Sequence, residues 1–386
     1  MRYLLRLWLL MSAGLALGGC IDRYVPDVPA AAQTNLVVDG FINPRGSSVI
    51  KLSRTFSVNT KNTAPAETRA QMAIVDDAGR RYPLAENPAG TYTASSQMLD
   101  PARQYQLRFT TAQGREYASD PTPVVLTPAI DTLTWQLTPV EGAQIFLSTR
   151  GAAGTSPYYR WEYEETYQFT SAFESTIEYD ARRNFVRPRG PSIYRCWRTE
   201  VSTAILQGST TQLSQNSLVD FPLLRLLPDQ KIRLGYSVLV RQVGQTQAEY
   251  DYWERLRKST ENLGTVNDPL PGRVVGNVHA LADAAEPVLG YVGAHSVAEK
   301  RLFIDGASFP TPRPGSVLFD PAYATCVGTV QSLNILLALP QFKQGLTIPI
   351  KPSVSLSGDT VGATFSTPNC VDCRLRGTNV KPSFWP

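Results

Sequence analysis

The chain has 386 residues, 37 Lys plus Arg against 33 Asp plus Glu, and a formal net charge of +4. That balance leaves no electrostatic footprint for nucleic acid, and the length exceeds a single core of about 250–300 residues, so two domains are expected. Charged residues make up 18%, and the 29 Pro, 27 Gly and 17 Tyr describe a turn-rich β protein, which excludes a helical bundle or a disordered chain.

Arg2 and Arg6 precede an apolar run from Leu7 to Leu17, which closes on Leu17-Gly18-Gly19-Cys20. A basic start, a short apolar stretch and small residues before a cleavage point are the order of a secretory signal peptide, here residues 1–19. A cysteine directly after the small pair makes it a bacterial lipoprotein signal, with the Cys20 thiol as the acyl acceptor. The apolar run is shorter than the roughly 20 residues of a membrane-spanning helix, so the lipid on Cys20 is the expected anchor. Residues 20–33, with Pro26 and Pro29, read as a lipidated tether. Asp22 is the one acid close to the cysteine, so these residues assign neither the periplasmic nor the outer face.

From Leu36 the chain becomes a string of short alternating runs. Leu36 to Val38, Phe41-Ile42, Val49 to Leu52, Met72 to Val75, Thr91 to Thr93, Tyr105 to Phe109 and Val124 to Leu126 read as strands. Asn43 to Gly46 and Asp76 to Gly79 are turns between them. This spacing predicts a β-sandwich of immunoglobulin or fibronectin type over residues 34–128, with Pro121, Pro123 and Pro128 at its exit.

Residues 129–386 are expected to form a larger β-rich domain with one prominent helix. Strands are predicted at Thr132 to Leu137, Ile145 to Ser148, Tyr159 to Glu164 and Ile232 to Val240. The helix lies near 246–263. Thr246-Gln247-Ala248-Glu249 is a capping box, Tyr250, Trp253, Leu256 and Leu263 share a face that reads as core, and Gly264 supplies the stop. Asp251 with Arg255 and Glu254 with Lys258 are favourable i,i+4 pairs. Further strands follow at Arg273 to Ala280, Val288 to Val292 and Lys300 to Ile304, and loops dominate beyond Pro310 until Leu333 to Leu339.

Motifs for catalysis do not stand out. The two histidines, His279 and His295, lie outside any zinc-helix spacing and read as satisfied strand or surface residues. No nucleophile elbow, P-loop or dinucleotide fingerprint is present, so no catalytic residue, metal site or cofactor is assigned. Glu162, Glu164 and Glu165 crowd one predicted strand, but a glycosidase pair straddles its bond from separate elements, so they read as a solvated face. Besides Cys20 there are Cys196, Cys326, Cys370 and Cys373. An even number in an oxidising compartment predicts two disulfides with open connectivity. Arg187 and Arg189 belong to a basic stretch that reads as a solvated loop, with contact to anionic headgroups or an acidic substrate as the alternative. Phe384 and Trp385 are two large aromatics near the end of the sequence. They are expected to dock on the protein's own body, and otherwise to engage a membrane partner.

The run Cys370-Val371-Asp372-Cys373-Arg374-Leu375-Arg376-Gly377-Thr378-Asn379, followed by Lys381 to Trp385, resembles the DUF4249 family of Bacteroidota lipoproteins. Tyr250 to Glu254, Thr260 to Gly264, Val275-Gly276-Asn277-Val278 and Leu36 to Asn43 are similar to that family too. The resemblance carries no assigned activity. It implies an outer-membrane location and an accessory role beside a TonB-dependent transporter. The expected function is therefore a non-enzymatic envelope lipoprotein that binds a transporter, its substrate or both. The rivals are a structural or adhesive envelope protein and a hydrolase with an unrecognised site.

Overall fold

The computed structural model describes residues 34–56, 64–138, 142–152, 154–227, 229–261, 274–309, 321–326 and 328–386. Cys20, the leader, the tether, Leu263 and Gly264 lie outside the described residues. The fold is mainly β.

The first module contains β1 (Leu36–Phe41), β2 (Arg45–Arg54), β3 (Gln71–Asp76), β4 (Arg81–Glu86), β5 (Thr91–Met98), β6 (Gln104–Thr110), β7 (Glu116–Ser119) and β8 (Thr122–Pro123). Alternation sets its faces. On β2, Ile50 and Leu52 are buried while Val49 and Lys51 face out, and on β6 Tyr105, Leu107 and Phe109 turn inward. Each such side chain contributes about 1.5–3 kcal/mol by leaving water. The two layers are continuous through β4, whose Met72↔Leu84 end pairs with β3 and whose Glu86↔Tyr92 end pairs with β5.

The second module begins with β9 (Ile130–Thr138), β10 (Gly142–Arg150) and β11 (Tyr158–Thr170). A hairpin of β12 (Ile177–Asp180) and β13 (Phe185–Pro188) follows, then β14 (Arg195–Val201), β15 (Leu206–Ser209), β16 (Ser217–Leu226) and β17 (Gly235–Gln245). The helix α1 (Gln247–Glu261) comes next, and after it β18 (Val278–Ala280), β19 (Val288–Leu289) and β20 (Val297–Asp305). The sheet β16-β10-β9 packs on the sheet β14-β11-β17-β20 around Ile145, Leu147, Trp161, Phe169, Tyr236 and Val238. The module is thus a second β-sandwich. Its fully buried Trp161 donates its indole N–H to Gln242 Oε1 at 2.8 Å, which satisfies the one polar atom of a large apolar ring.

The strands after the helix require a correction. They were expected within the second domain, but β18 pairs with β7 and β19 runs parallel to β1. Val278, Ala280, Val288, Val292 and Ala294 are part of the first core, so the first sandwich is completed only when the chain returns to it. Asn277 staples this return: its Nδ2 donates to Val292 O at 3.0 Å, and its Oδ1 accepts from Val292 N–H at 2.8 Å. The Val275 to Val278 motif thereby has a physical use.

A smaller unit follows, with β21 (Gln331–Asn334), α2 (Ile335–Lys343), β22 (Ile348–Val354), β23 (Thr360–Ser366) and the short α3 (Pro368–Val371). The apolar run Leu333 to Leu339 straddles an element boundary. Asn334 Oδ1 accepts from Leu336 N–H at 3.0 Å and caps α2, so α1 is not the sole helix of size. No helix among the described residues is long and apolar enough to cross a membrane.

Candidate functional site

Where the two sandwiches meet, the backbone zips together. Val125 N–H donates to Ala294 O at 2.8 Å, Ser296 N–H to Val125 O at 3.1 Å, and Gly244 N–H to Thr127 Oγ1 at 2.9 Å. Beside this seam lies a cleft of about 590 Å³. Its floor is the outer face of β1 and β2, where Val37 opposes Ser53, Asp39 opposes Lys51 and Phe41 opposes Val49. Its walls are Arg160 and Glu162 of β11, Glu249, Tyr252 and Trp253 of α1, and the return segment through Tyr291 and His295.

The deepest polar groups of this cleft are Glu249 and His295. Glu249 sits in the first turn of α1, where the helix dipole favours an anion. Its amide donates to Thr246 Oγ1 at 3.2 Å, which is half of the expected capping box. Its carboxylate does not reach back to Thr246 but lies 3.4 Å from His295 Nε2, with the side chains 4% and 1% exposed. Gly293 makes room for it, since a Cβ there would stand 2.4 Å from the carboxylate. Burial alone would push the Glu249 carboxyl up, but the facing imidazole of His295 and then Arg160 outweigh it and hold it below its ordinary value.

His295 departs from the satisfied histidine that its sequence context suggests. It stacks on Phe41 with ring centroids 4.3 Å apart, and neither ring nitrogen makes a hydrogen bond. The approach to Glu249 is an ion-pair distance without hydrogen-bond geometry. Arg160 bonds Glu162 and lies over the Trp253 ring at 4.4 Å, and its Nε has no partner. The Trp253 indole N–H is also buried without a partner. Tyr252 meets Trp253 edge-on at 5.4 Å and Tyr291 at 5.2 Å. Four buried side-chain nitrogens without a hydrogen-bond partner in the protein, Arg160 Nε, Trp253 Nε1 and both of His295, thus gather in the walls of this cleft. The aromatic stripe of α1, read as core, therefore divides: Tyr250 packs half-buried beside Tyr158, while Trp253 lines the cleft together with Tyr252, which lay outside the stripe.

The other predicted residues lie elsewhere. His279, on β18, pairs with Asp120 at 3.2 Å. The three glutamates of β11 separate. Glu162 joins the cleft, Glu164 lies 3.8 Å from both Arg241 and Arg301, and Glu165 is buried against Lys231 at 2.9 Å. Lys231 also meets Glu200 at 2.9 Å. Burial alone would lower its ammonium pKa, but hydrogen bonds to Glu200 and Glu165 outweigh that and raise it. Beside it, burial first and then the Glu200 charge push the Tyr167 hydroxyl up to about 12. Glu165 is thus not part of a solvated strand face.

The disulfides are Cys196–Cys373 and Cys326–Cys370. Past Cys373 the chain lies along the edge of β14, where Trp197 and Thr378 exchange backbone hydrogen bonds at 2.8 and 2.9 Å. Gly377 permits this approach, since a Cβ would lie 2.4 Å from Trp197 O. Trp385 then packs edge-on to Trp197 at 6.3 Å and to Phe303 at 5.9 Å, and Arg301 lies 3.7 Å from the Phe384 ring centroid. Phe384 remains 37% exposed. Arg189 is not a free cation of a solvated loop. It is 11% exposed and donates to Ser175 Oγ and Ile177 O, pinning its own hairpin. Arg187 pairs with Glu178 at 2.8 Å. Among the described residues no group of three or more His, Cys, Asp or Glu is arranged to hold a metal ion.

The family described as "Domain of unknown function (DUF4249)" matches residues 21–301. The chain belongs to the DUF4249 family. That match takes in the floor and the three walls of the cleft. No curated protein matches the chain. Among solved structures, it is similar to a two-domain fibronectin type III segment of chicken tenascin at 12% identity and a TM-score of 0.15, covering 54% of this chain and 90% of that one. It is also similar to the FN1–FN3 domains of chicken CNTN1 at 12% identity and a TM-score of 0.20, covering 55% and 62%. A third likeness is to the adhesin InvE of Yersinia pseudotuberculosis, at 17% identity and a TM-score of 0.14, covering 55% of each chain. The DUF4249 chain thus spans less than two thirds of the CNTN1 and InvE structures.

Proposed function

We propose that the protein is a non-enzymatic, lipid-anchored protein of the outer membrane that binds a ligand in the cleft between its sandwiches, as the accessory of a TonB-dependent transporter. The observation that carries the binding reading is the cleft itself. It is concave, its volume of about 590 Å³ is that of a small-molecule site, and it is lined by aromatic rings with a few buried polar groups. The lipid anchor rests on Leu17 to Cys20, and the outer-membrane location and the transporter rest on what the family resemblance implies.

The test is purification of the lipidated protein from its own outer membrane after cross-linking. A TonB-dependent transporter recovered in near-stoichiometric amount is the expected result. Its absence, with the protein recovered alone, contradicts the accessory role. Cys20→Ser is expected to leave an unlipidated protein outside the membrane fraction, and a processed, lipidated Cys20→Ser protein would contradict the anchor.

A further inference from the structure

We infer that the ligand of the cleft is a free, neutral, short oligosaccharide, an inference that rests on the binding reading above. Three observations lead to this class. The first is charge. The cleft sets the acids Asp39, Glu162 and Glu249 beside the bases Lys51 and Arg160, so both signs line it, and Arg160 is already paired with Glu162. A site lined by both signs offers a strongly charged ligand repulsion beside attraction, so it selects against net charge.

The second is the hydrogen-bonding character of the buried polar groups in its walls. Arg160 Nε–H and Trp253 Nε1–H are donors, the Glu249 carboxylate accepts, and His295 presents two ring nitrogens that are buried and unbonded. Donors and acceptors lie side by side there. A sugar hydroxyl both donates and accepts, so adjacent hydroxyls satisfy such a mixture where a carboxylate, which only accepts, does not. Recognition of a peptide backbone commonly uses a free sheet edge. The floor here is a sheet face, with β1 bonded to β2 on one side and to β19 on the other.

The third is shape. Phe41, Tyr252, Trp253 and Tyr291 give the cleft apolar ring surface beside those polar atoms. A pyranose has the matching division, with C–H groups across one face and hydroxyls around its rim. A cleft of about 590 Å³ holds more than one such unit.

The experiment is isothermal titration of the full-length lipidated protein, in detergent, with four neutral trisaccharides: maltotriose, cellotriose, mannotriose and chitotriose. Tri-alanine and citrate serve as the peptide and anion probes. At least one trisaccharide is expected to bind. Trp253→Phe, which keeps a ring and removes one N–H, is expected to weaken that binding about tenfold with the melting temperature unchanged. Arg160→Lys, which keeps the charge and removes Nε–H, is expected to act in the same direction. Binding of tri-alanine or citrate, lost in Trp253→Phe, with none by the sugars, overturns the saccharide and leaves the binding reading standing. Trisaccharide binding unchanged in both variants places the sugar elsewhere and also overturns the inference. No binding by any of the six probes overturns the inference and removes the support it lends to the cleft.

Discussion

The carboxylate of Glu249 lies 3.4 Å from the imidazole of His295, and the two side chains come from opposite sides of a seam between sandwiches. One belongs to the first turn of α1 and the other to the segment that returns to complete the first core. A charge in this position is stable only while its partner and the helix end compensate it.

Acid is therefore expected to loosen the junction. The Glu249 carboxyl is held below its ordinary value in the folded protein. Its contribution to stability is present above the unfolded value of about 4.3 and is lost as pH falls through the lower folded value. Thermal melts over that acid range are expected to fall less steeply for Glu249→Gln than for the natural chain. Identical slopes would contradict a compensated Glu249.

Gly293→Ala is expected to cost about 1–3 kcal/mol, because the new methyl group meets the Glu249 carboxylate at 2.4 Å. The measurement is the denaturant midpoint at neutral pH. Gly79→Ala is the comparison, since a Cβ there meets nothing within 4 Å and only its φ of +81° opposes the change. A smaller loss at Gly293 than at Gly79 would contradict the packing of the pair.

Peptide mapping without reductant is expected to recover Cys196 joined to Cys373 and Cys326 joined to Cys370. The first closes a separation of 177 residues and the second one of 44. Removing Cys326–Cys370 by paired alanine substitution is expected to cost about 2–4 kcal/mol. A local Cys370–Cys373 bridge would contradict the pairing.

Deleting Ser383 to Pro386 takes away the contacts of Trp385 with Trp197 and Phe303 and the cover of Arg301 over Phe384. These rings are only partly buried, so the expected loss is about 1–2 kcal/mol, and the melting temperature is expected to drop by a few degrees. An unchanged melting temperature, with loss of a membrane partner instead, would make the segment an interaction site rather than part of the fold.

The strands marked by a short apolar run, such as β1 and β3, or by alternation, such as β6 and the start of β11, were legible in the sequence, and so was the cap at Thr246. β4 was not, because Arg81-Tyr82-Pro83-Leu84-Ala85-Glu86 carries a proline and changes sheet midway. The return of β18 and β19 to the first core was hidden because both strands are short and their partners lie far back in the chain. The even number of cysteines signalled bridges, but pairing depends on which strands become neighbours. The cleft was the least legible feature. Its floor and walls come from four separated segments, and Glu249 looked like an ordinary capping residue while His295 lay beyond any local pattern. The one signal available was the unusual crowding of aromatics around Glu249 in Tyr250-Asp251-Tyr252-Trp253.

The most direct test of a ligand site at the seam follows the indole N–H resonances by nitrogen-15 NMR while the protein is titrated with the small-molecule extract of its own cell envelope. The Trp253 N–H is unpaired in the cleft, whereas the Trp161 N–H is bonded to Gln242 at 2.8 Å inside the second core. The predicted result is a saturable shift of the Trp253 resonance, assigned by its loss in Trp253→Phe, with the Trp161 resonance unmoved. A Trp253 resonance that stays fixed while another indole shifts would contradict the cleft as the binding site.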